Sequence, residues 1–469
     1  MQANLNQLSL TDIYSNIDEY FQSDKPKLIK LFEQHIDLAS LIPQSFFNHY
    51  YSNSGRPRQY SLTSMISALI IKSILSIADT SLFITILNLS SELRNLCGFT
   101  SVPNASQFSR FKISFEKDLE TFFHSLVELT EPICRQINLE LADILIVDTT
   151  GIEAYVKENN PKLFDNLLRQ SKKLQKSNPD FNAHSYTCSK MPKESCANPE
   201  IKLSYINGHY CYALKTAIVT NGLGIIRDFD FFDKSTLDIS KSATASEAKD
   251  EYDAKSLIPT LNNFFSKHDF KYEYFLGDAG FDAVDNYKYL YADHNIKPII
   301  PLRRAPSLPE PGFNEDGIPT CPNDPTLPMK FDGITRGKNR ADRIKWLCPK
   351  SKKTRIDGKT TYILSCDNPC TESHCGRVCQ IPIHNDFRMN TAVPRNSTLW
   401  NALYKIRTII ERTNFMIKFP MALNYTKLYN TTSLKSELVI SAITQQITLL
   451  ISNSLKQTEH LLSIKKLVA

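Results

Sequence analysis

The sequence predicts an α/β protein in which helical segments flank a mixed sheet. Three observations carry this expectation. First, Ile144 to Val147 form an unbroken run of β-forming apolar residues that ends on Asp148, as expected for a strand buried on both faces. Second, HYCYALKTAIVT and LGIIRDFDFFD flank Asn221-Gly222, a dipeptide suited to a tight hairpin turn. Third, apolar residues recur every three or four positions ahead of the predicted strands. Met65, Leu69, Ile70 and Ile74 make one such series, and Phe115, Leu119, Phe122 and Leu126 another; each marks one face of a helix.

Taken in order, the N-terminal forty residues read as mixed and helical. From Gly55 to Asn138 the text is helical, with joints at NLCGF and SVPNASQ, and the second joint supplies good N-cap residues. Arg56, Arg58, Arg110 and Lys112 at helix starts suit a helix-turn-helix-like DNA contact. The Ile144–Val147 strand follows, then a polar, Lys-rich stretch from Glu158 to Glu200 that reads as an insertion or mobile loop. After the hairpin, a helix is expected over about Ser246 to His268. KYEYFLGDAGFDAVDNYKYLYADHNIKPIIPLRR then gives strand, turn, helix and strand, with Asp278 just past the first of these strands. Residues 305–395 change texture, being rich in proline, basic residues and cysteine, and the chain then returns to helix. The expected domains are therefore 1–138 (helical, DNA-binding), 139–304 (first part of the core), 305–395 (basic, Cys-rich insertion) and 396–469 (C-terminal helices of the core).

The 469 residues, 42% apolar and 22% charged, describe a globular protein of more than one domain. No uninterrupted apolar run approaches the length of a membrane span. The N-terminal MQANLNQLSLTDIYSN lacks the charged-then-apolar layout of a signal peptide, so the expectation is a soluble cytoplasmic protein with no membrane partner. Charge is unevenly placed. Lys330 to Lys359 holds eleven Lys and Arg against three Asp, a local excess larger than the net charge of +6 for the whole chain, and this points to a polyanionic partner.

The eleven cysteines are odd in number and unevenly spread, unlike a secreted disulfide framework. Cys366, Cys370, Cys375 and Cys379 are separated by three, four and three residues, a spacing compatible with a structural zinc ion held by four soft ligands. Cys321 and Cys348, each followed by proline, are candidates for the same element.

The segment LYKIRTIIERTNFMIKFP contains Tyr404, Arg407, Glu411 and Lys418. At 100° per residue they fall within an arc of about 60°, flanked by Leu403, Ile406, Ile410 and Ile417 and stopped by Pro420. With Asp148 and Asp278 closing neighbouring strands and Glu411 on a helix laid across them, three carboxylates separated in sequence can meet at one end of the sheet, where α/β sites tend to lie.

These residues together resemble the bacterial insertion-sequence transposases that have an RNase H-like catalytic core, in the branch marked by a Tyr-x2-Arg-x3-Glu-x6-Lys signature. The signature stands here as Tyr404, Arg407, Glu411 and Lys418. IVDTTGI resembles that family's first Asp motif and FLGDAGFD its second. The Tyr60–Phe111 region, with Cys97-Gly98-Phe99, resembles its helical N-terminal domain. The resemblance implies an RNase H-like mixed sheet and a DDE enzyme. It implies catalytic Asp148, Asp278 and Glu411 holding two Mg²⁺ or Mn²⁺, which supply an activated water or 3′ hydroxyl and relieve charge on the leaving oxygen. Tyr404, Arg407 and Lys418 would contact DNA phosphates. The implied partners are double-stranded DNA, as element ends and target, and a second copy in a homodimer on DNA, in a nucleoid-associated setting. An RNase H-fold nuclease without strand joining, and a DNA-binding protein that has lost catalysis, are the alternative readings.

Overall fold

The computed structural model describes residues 26–52, 57–177, 181–206, 209–232, 245–303, 311–338, 340–356, 359–395 and 397–468. Arg56, most of the expected N-terminal helical text and part of the 305–395 boundary region lie outside them. The chain divides into a helical unit, Met1–Ile133 with Phe415–Ala469, and a sheet-containing unit, Cys134–Asn414. Residues from Phe415 onward therefore group with the N-terminal helices, whereas the sequence pattern alone places all of 396–469 with the core. The two stretches meet through burial of side chains far apart in sequence, which no local pattern announces.

In the helical unit the N-terminal part is built from α1 (Lys27–His35), α2 (Gln44–Tyr50), α3 (Leu62–Ile74), α4 (Thr80–Leu89), α5 (Ser91–Leu96), α6 (Ala105–Ser114) and α7 (Glu116–Ile137). Local chemistry sets their starts. Ser61, Asp79 and Ser90 each accept a hydrogen bond from an amide in the first turn of the helix they precede. Asn104 forms a reciprocal pair with Gln107: Asn104 Oδ1 accepts from the Gln107 amide at 3.0 Å and Gln107 Oε1 from the Asn104 amide at 2.8 Å, so two otherwise orphaned donors are satisfied. Phe46, Tyr50, Phe111 and Phe115 stack in the interior, and Arg58 lies over the rings of Tyr50 and Phe115.

The C-terminal helix Thr431–Ser454 runs through this unit and packs on α1, α3 and α6. By length and composition it could cross a membrane, but 89% of its most apolar window is buried within the protein. Its Glu437 accepts from Lys112 Nζ at 2.6 Å and Lys72 Nζ at 3.5 Å, with all three side chains under 10% exposed. Lys112 thus faces the interior, and the expectation that it contacts DNA is corrected: its counter-charge lies 325 positions away. Burial opposes ionisation of Glu437, but Lys112 and Lys72 outweigh it and hold the carboxyl down from the ordinary 4.5 to about 2.

In the other unit, β1 (Ile144–Glu153), β2 (Lys202–Ile206), β3 (His209–Asn221), β4 (Ile226–Phe231), β5 (Tyr274–Leu276) and β6 (Lys297–Ile299) form a mixed sheet in the order β2-β3-β1-β5-β6. The upper half of β3 pairs with β4. β1 is antiparallel to β3 and parallel to β5, and β5 is parallel to β6. Asn221-Gly222 makes the β3–β4 turn; a Cβ at Gly222 would come within 2.6 Å of the Leu141 carbonyl, so only glycine fits. The polar stretch after β1 is not a loop: it contains α8 (Pro161–Ser177) and α9 (Ala183–Lys190), which pack together.

The two sheet faces bury different sets. Leu145, Val147 and Phe275 join Leu257, Leu261 and Phe264 of α10 (Ala245–Lys267). Ile144, Ile146, Leu276 and Ile299 join Trp400 and Leu403 of α12 (Thr398–Ile406) and Ile410 of α13 (Thr408–Lys418). Between β5 and β6 lies α11 (Val284–Lys288), continued by a π-helical turn. The excursion between β6 and α12 consists of short antiparallel strands, β7 to β13, within Thr320 to Pro382. Met329, Ile344, Trp346 and Ile383 form their small core.

The buried Lys72–Glu437–Lys112 cluster makes a testable demand. A carboxyl with a depressed folded pKa contributes stability that is complete above its unfolded pKa and lost as pH falls through the folded one. Stability measured by urea unfolding, with loss of helix as the signal, should therefore decline as pH falls from about 4.5 to 2. Glu437→Gln should cost about 3–5 kcal/mol at pH 7 by leaving two buried ammonium groups uncompensated, and should flatten the decline in that window. An unchanged slope would show that Glu437 is not the group responsible.

Candidate catalytic face

The site is set by strand register. β1 and β5 pair Ile144 with Tyr274, Leu145 with Phe275 and Ile146 with Leu276. Each strand therefore carries an aspartate two residues beyond the last pair, Asp148 on one and Asp278 on the other. Alternation of side chains along a strand puts Asp148 on the face of Ile144 and Ile146, the face that α12 and α13 cover. β1 does not end at Asp148, as the sequence reading held. It continues to Glu153 because β3 supplies an antiparallel partner throughout, with Asp148 opposite Ile218. What ends before Asp148 is the parallel ladder to β5.

Asp278 caps a 3₁₀ turn, Ala279–Phe281, accepting from the Gly280 amide at 2.9 Å. A Cβ at Gly277 would stand 2.9 Å from the Phe275 ring and 3.0 Å from that of Phe281, and this close approach accounts for the glycine before the aspartate.

On the helical side, α12 ends at Ile406, Arg407 is its C-cap and α13 begins at Thr408. Tyr404 stacks on Trp400 with ring centroids 4.8 Å apart. The Arg407 guanidinium sits 5.6 Å from the Tyr404 ring and donates to Glu411 Oε1 at 2.6 Å. Burial works against the charge on Arg407, but Tyr404, Glu411 and Asp148 together raise its pKa above the ordinary value. One turn beyond Glu411, Asn414 Nδ2 donates to Asp148 Oδ2 at 2.9 Å. The structure thus gathers Tyr404, Arg407, Glu411, Asn414 and Asp148 on one patch, with Asp278 in the turn that follows the adjoining strand. Lys418 is buried at the C-terminal end of α13 and falls among the residues of the helical unit.

Asn414 was not picked out from the sequence, although its place three residues after Glu411 puts it on the same helical face. Asp282, Tyr287, Arg388 and Arg395, which build a polar network beside the Asp278 turn, were also missed. The second aspartate of GDAGFD was the available signal.

Among the described residues, no three His, Cys, Asp or Glu side chains are grouped around a position that could hold an ion. Neighbouring carboxylates repel one another, and here each has its own donor: Asn414 for Asp148, a backbone amide for Asp278 and Arg407 for Glu411. The donor chemistry nonetheless suits a hard cation, since all three are carboxylates. Two buried polar atoms on the patch, Arg407 Nε and Asn414 Oδ1, lack a hydrogen-bond partner, and Glu411 is bound only through an exposed i,i+4 ion pair of the kind worth little in water.

The cysteine expectation fares differently. Cys366, Cys370, Cys375 and Cys379 are free and partly buried, and they are not assembled as an ion's ligands. Cys379 lies opposite Trp346 in the β10 (Arg340–Leu347)–β13 (Val378–Pro382) pair and packs on the insertion's apolar core. Cys375 Sγ lies 3.0 Å from the Ser373 hydroxyl.

Residues 16–113 match the family model described as Transposase domain (DUF772). No curated protein matches the chain. Among solved structures, the chain is similar to a piggyBac transposase in a synaptic complex with hairpin DNA, at 12% identity over 91% of this chain and 81% of that one. The TM-score is 0.27, too loose an overlap to define a shared fold.

The Asn414–Asp148 contact can be tested by itself. Asn414→Ala should lower stability in urea unfolding by about 1.5–3 kcal/mol, the range for a hydrogen bond to a charged group. Asn414→Asp should cost more, because it sets a like charge against Asp148. If the aspartate variant were as stable as wild type, the contact would not exist in solution.

Proposed function

We propose that this protein is a DDE transposase that cuts the ends of a mobile DNA element and joins the resulting 3′ hydroxyl to target DNA. One observation carries the reading: Asp148 and Asp278 each stand two residues past the last parallel β1–β5 pair, Asp278 as the cap of the turn that follows β5, and the sheet face of Ile144, Ile146 and Leu276 is crossed by the helix bearing Glu411. The match of residues 16–113 to a transposase domain supports it, and we take the mixed sheet as an RNase H-like core.

In this reading Asp148, Asp278 and Glu411 hold Mg²⁺ or Mn²⁺. When bound, the ions activate the attacking oxygen and relieve charge on the leaving one. The chain's own groups handle the DNA. Arg407 is charged at any working pH, and its guanidinium can donate to a phosphate oxygen. Tyr404 is held by Trp400 and offers its hydroxyl beside it. Lys330, Arg336, Lys338, Arg340, Lys352 and Arg355 are exposed on the insertion and retain DNA through non-specific phosphate contacts. Within the insertion, Lys345 and Lys353 pair with Asp332 and Arg336 with Asp342. Two copies of the chain act on one pair of element ends.

Asp148→Ala, Asp278→Ala and Glu411→Ala should each abolish Mg²⁺-dependent cleavage while leaving binding to element ends largely intact. Purified protein given an element end with a preformed 3′ hydroxyl, a target plasmid and Mg²⁺ should join strands at low salt, and joining should fall steeply as salt rises. Cleavage that survives the aspartate substitutions would refute the site. Nicking without any joined product would identify a nuclease instead.

A further inference from the structure

A second carboxylate, four residues after Asp278, is gripped by donors from three segments of the chain. The Asp282 side chain is 1% exposed and receives four hydrogen bonds. Arg388 grips it with two donors, Nε to Oδ1 at 2.9 Å and Nη2 to Oδ2 at 2.7 Å. The Tyr287 hydroxyl donates to Oδ1 at 2.9 Å, and the Arg303 amide to Oδ2 at 2.9 Å.

The donors come from telling places. Arg303 stands where the chain leaves the sheet for the inserted strands, and Arg388 where it returns from them. Arg388 is itself held by an Asx turn, in which Asp386 Oδ1 accepts from the Arg388 amide at 2.9 Å and the Met389 amide at 3.0 Å. Behind the cluster, Arg395 Nη2 donates to the fully buried Tyr287 hydroxyl at 2.8 Å and Arg395 Nε to the Ile300 carbonyl at 3.2 Å.

We propose that Asp282 is a positioning residue for Asp278: its carboxylate ties both ends of the inserted segment to the turn that presents Asp278. The inference rests on the reading of Asp278 as a catalytic carboxylate. Asp278 is the N-cap and Asp282 the C-cap of one three-residue 3₁₀ turn, so little slack separates them. Fixing one end of so short a turn fixes the other. A bidentate Arg–carboxylate pair resists rotation as well as separation, and its burial means that loss of either partner strands a charge in the interior. Closure of the insertion's stem and placement of Asp278 thereby become one event. An inserted segment docked on DNA can act on the site through this link, and one whose stem is open leaves Asp278 loose.

The test uses the full chain carrying Arg388→Ala or, as the milder change that keeps the charge but loses the two-pronged grip, Arg388→Lys. Amide hydrogen exchange, measured without DNA or metal, should quicken at residues 277–283 in both variants, more in the alanine one, with the rest of the sheet unchanged. Single-turnover cleavage of element-end DNA should fall by about 100-fold in Arg388→Ala, the order expected when a reacting group is misplaced by about 1 Å, and by less in Arg388→Lys. Affinity for that DNA should stay the same. Exchange at 277–283 that does not change, or that rises equally across the whole sheet, would overturn the positioning role. The exchange result does not depend on transposition, so failure of the functional reading, seen as Asp278→Ala cutting like wild type, remains distinguishable from failure of this inference.

Discussion

The arrangement of the sheet unit depends on the three-residue parallel pairing of β1 with β5. Neighbouring strands lie about 4.8 Å apart, so residues at equal distance beyond a parallel register are held side by side. Slipping the register by one residue would turn one aspartate to the opposite face, away from the side that α12 and α13 cover. The register is protected because both faces are buried: Ile144 and Ile146 are committed to one core and Leu145 and Val147 to the other. Apolar packing thus specifies where the charged groups stand.

The same logic explains the tolerance of acid and base on the patch. Arg407 carries the local positive charge among Asp148, Glu411 and the Tyr404 phenol, and aromatic stacking on Trp400 holds Tyr404 against it. Asn414 contributes a neutral donor where a second cation would crowd Arg407. Charge is balanced within a small area without a closed network, and the two unpartnered polar atoms there are what a packed structural site would have satisfied.

Much of this frame was legible because it follows from short-range pattern. The Ile144–Val147 run, the Asn221-Gly222 turn and the spacing of the stripe from Tyr404 to Glu411 are local signals, and the structure contains the corresponding strand, hairpin and helices. What could not be read depends on distant partners. β1 extends past Asp148 because of β3, more than sixty residues on. Lys112 looked like a surface base until paired with Glu437. Cys379 has the spacing of a ligand, yet its strand position turns it toward the insertion's apolar core. The Lys-rich stretch after β1 folds into helices whose amphipathic pattern is masked by its polarity. Asp282 was overlooked because its four donors come from three separate segments.

The helical unit is discontinuous, and this bears on how the chain is made. Its N-terminal helices leave the ribosome roughly 300 residues before the helix that fills their middle. At about 5–20 residues per second the wait is on the order of 15–60 s, during which the apolar faces of α1, α3 and α6 have no final partner and Lys72 and Lys112 have no counter-charge. The sheet-containing unit, a single unbroken stretch, can close first. Nascent chains stalled before Thr431 would therefore carry a finished sheet beside an open helical half, a substrate for chaperones and proteases, and synthesis of the last helix would be the step that commits each molecule to its native state.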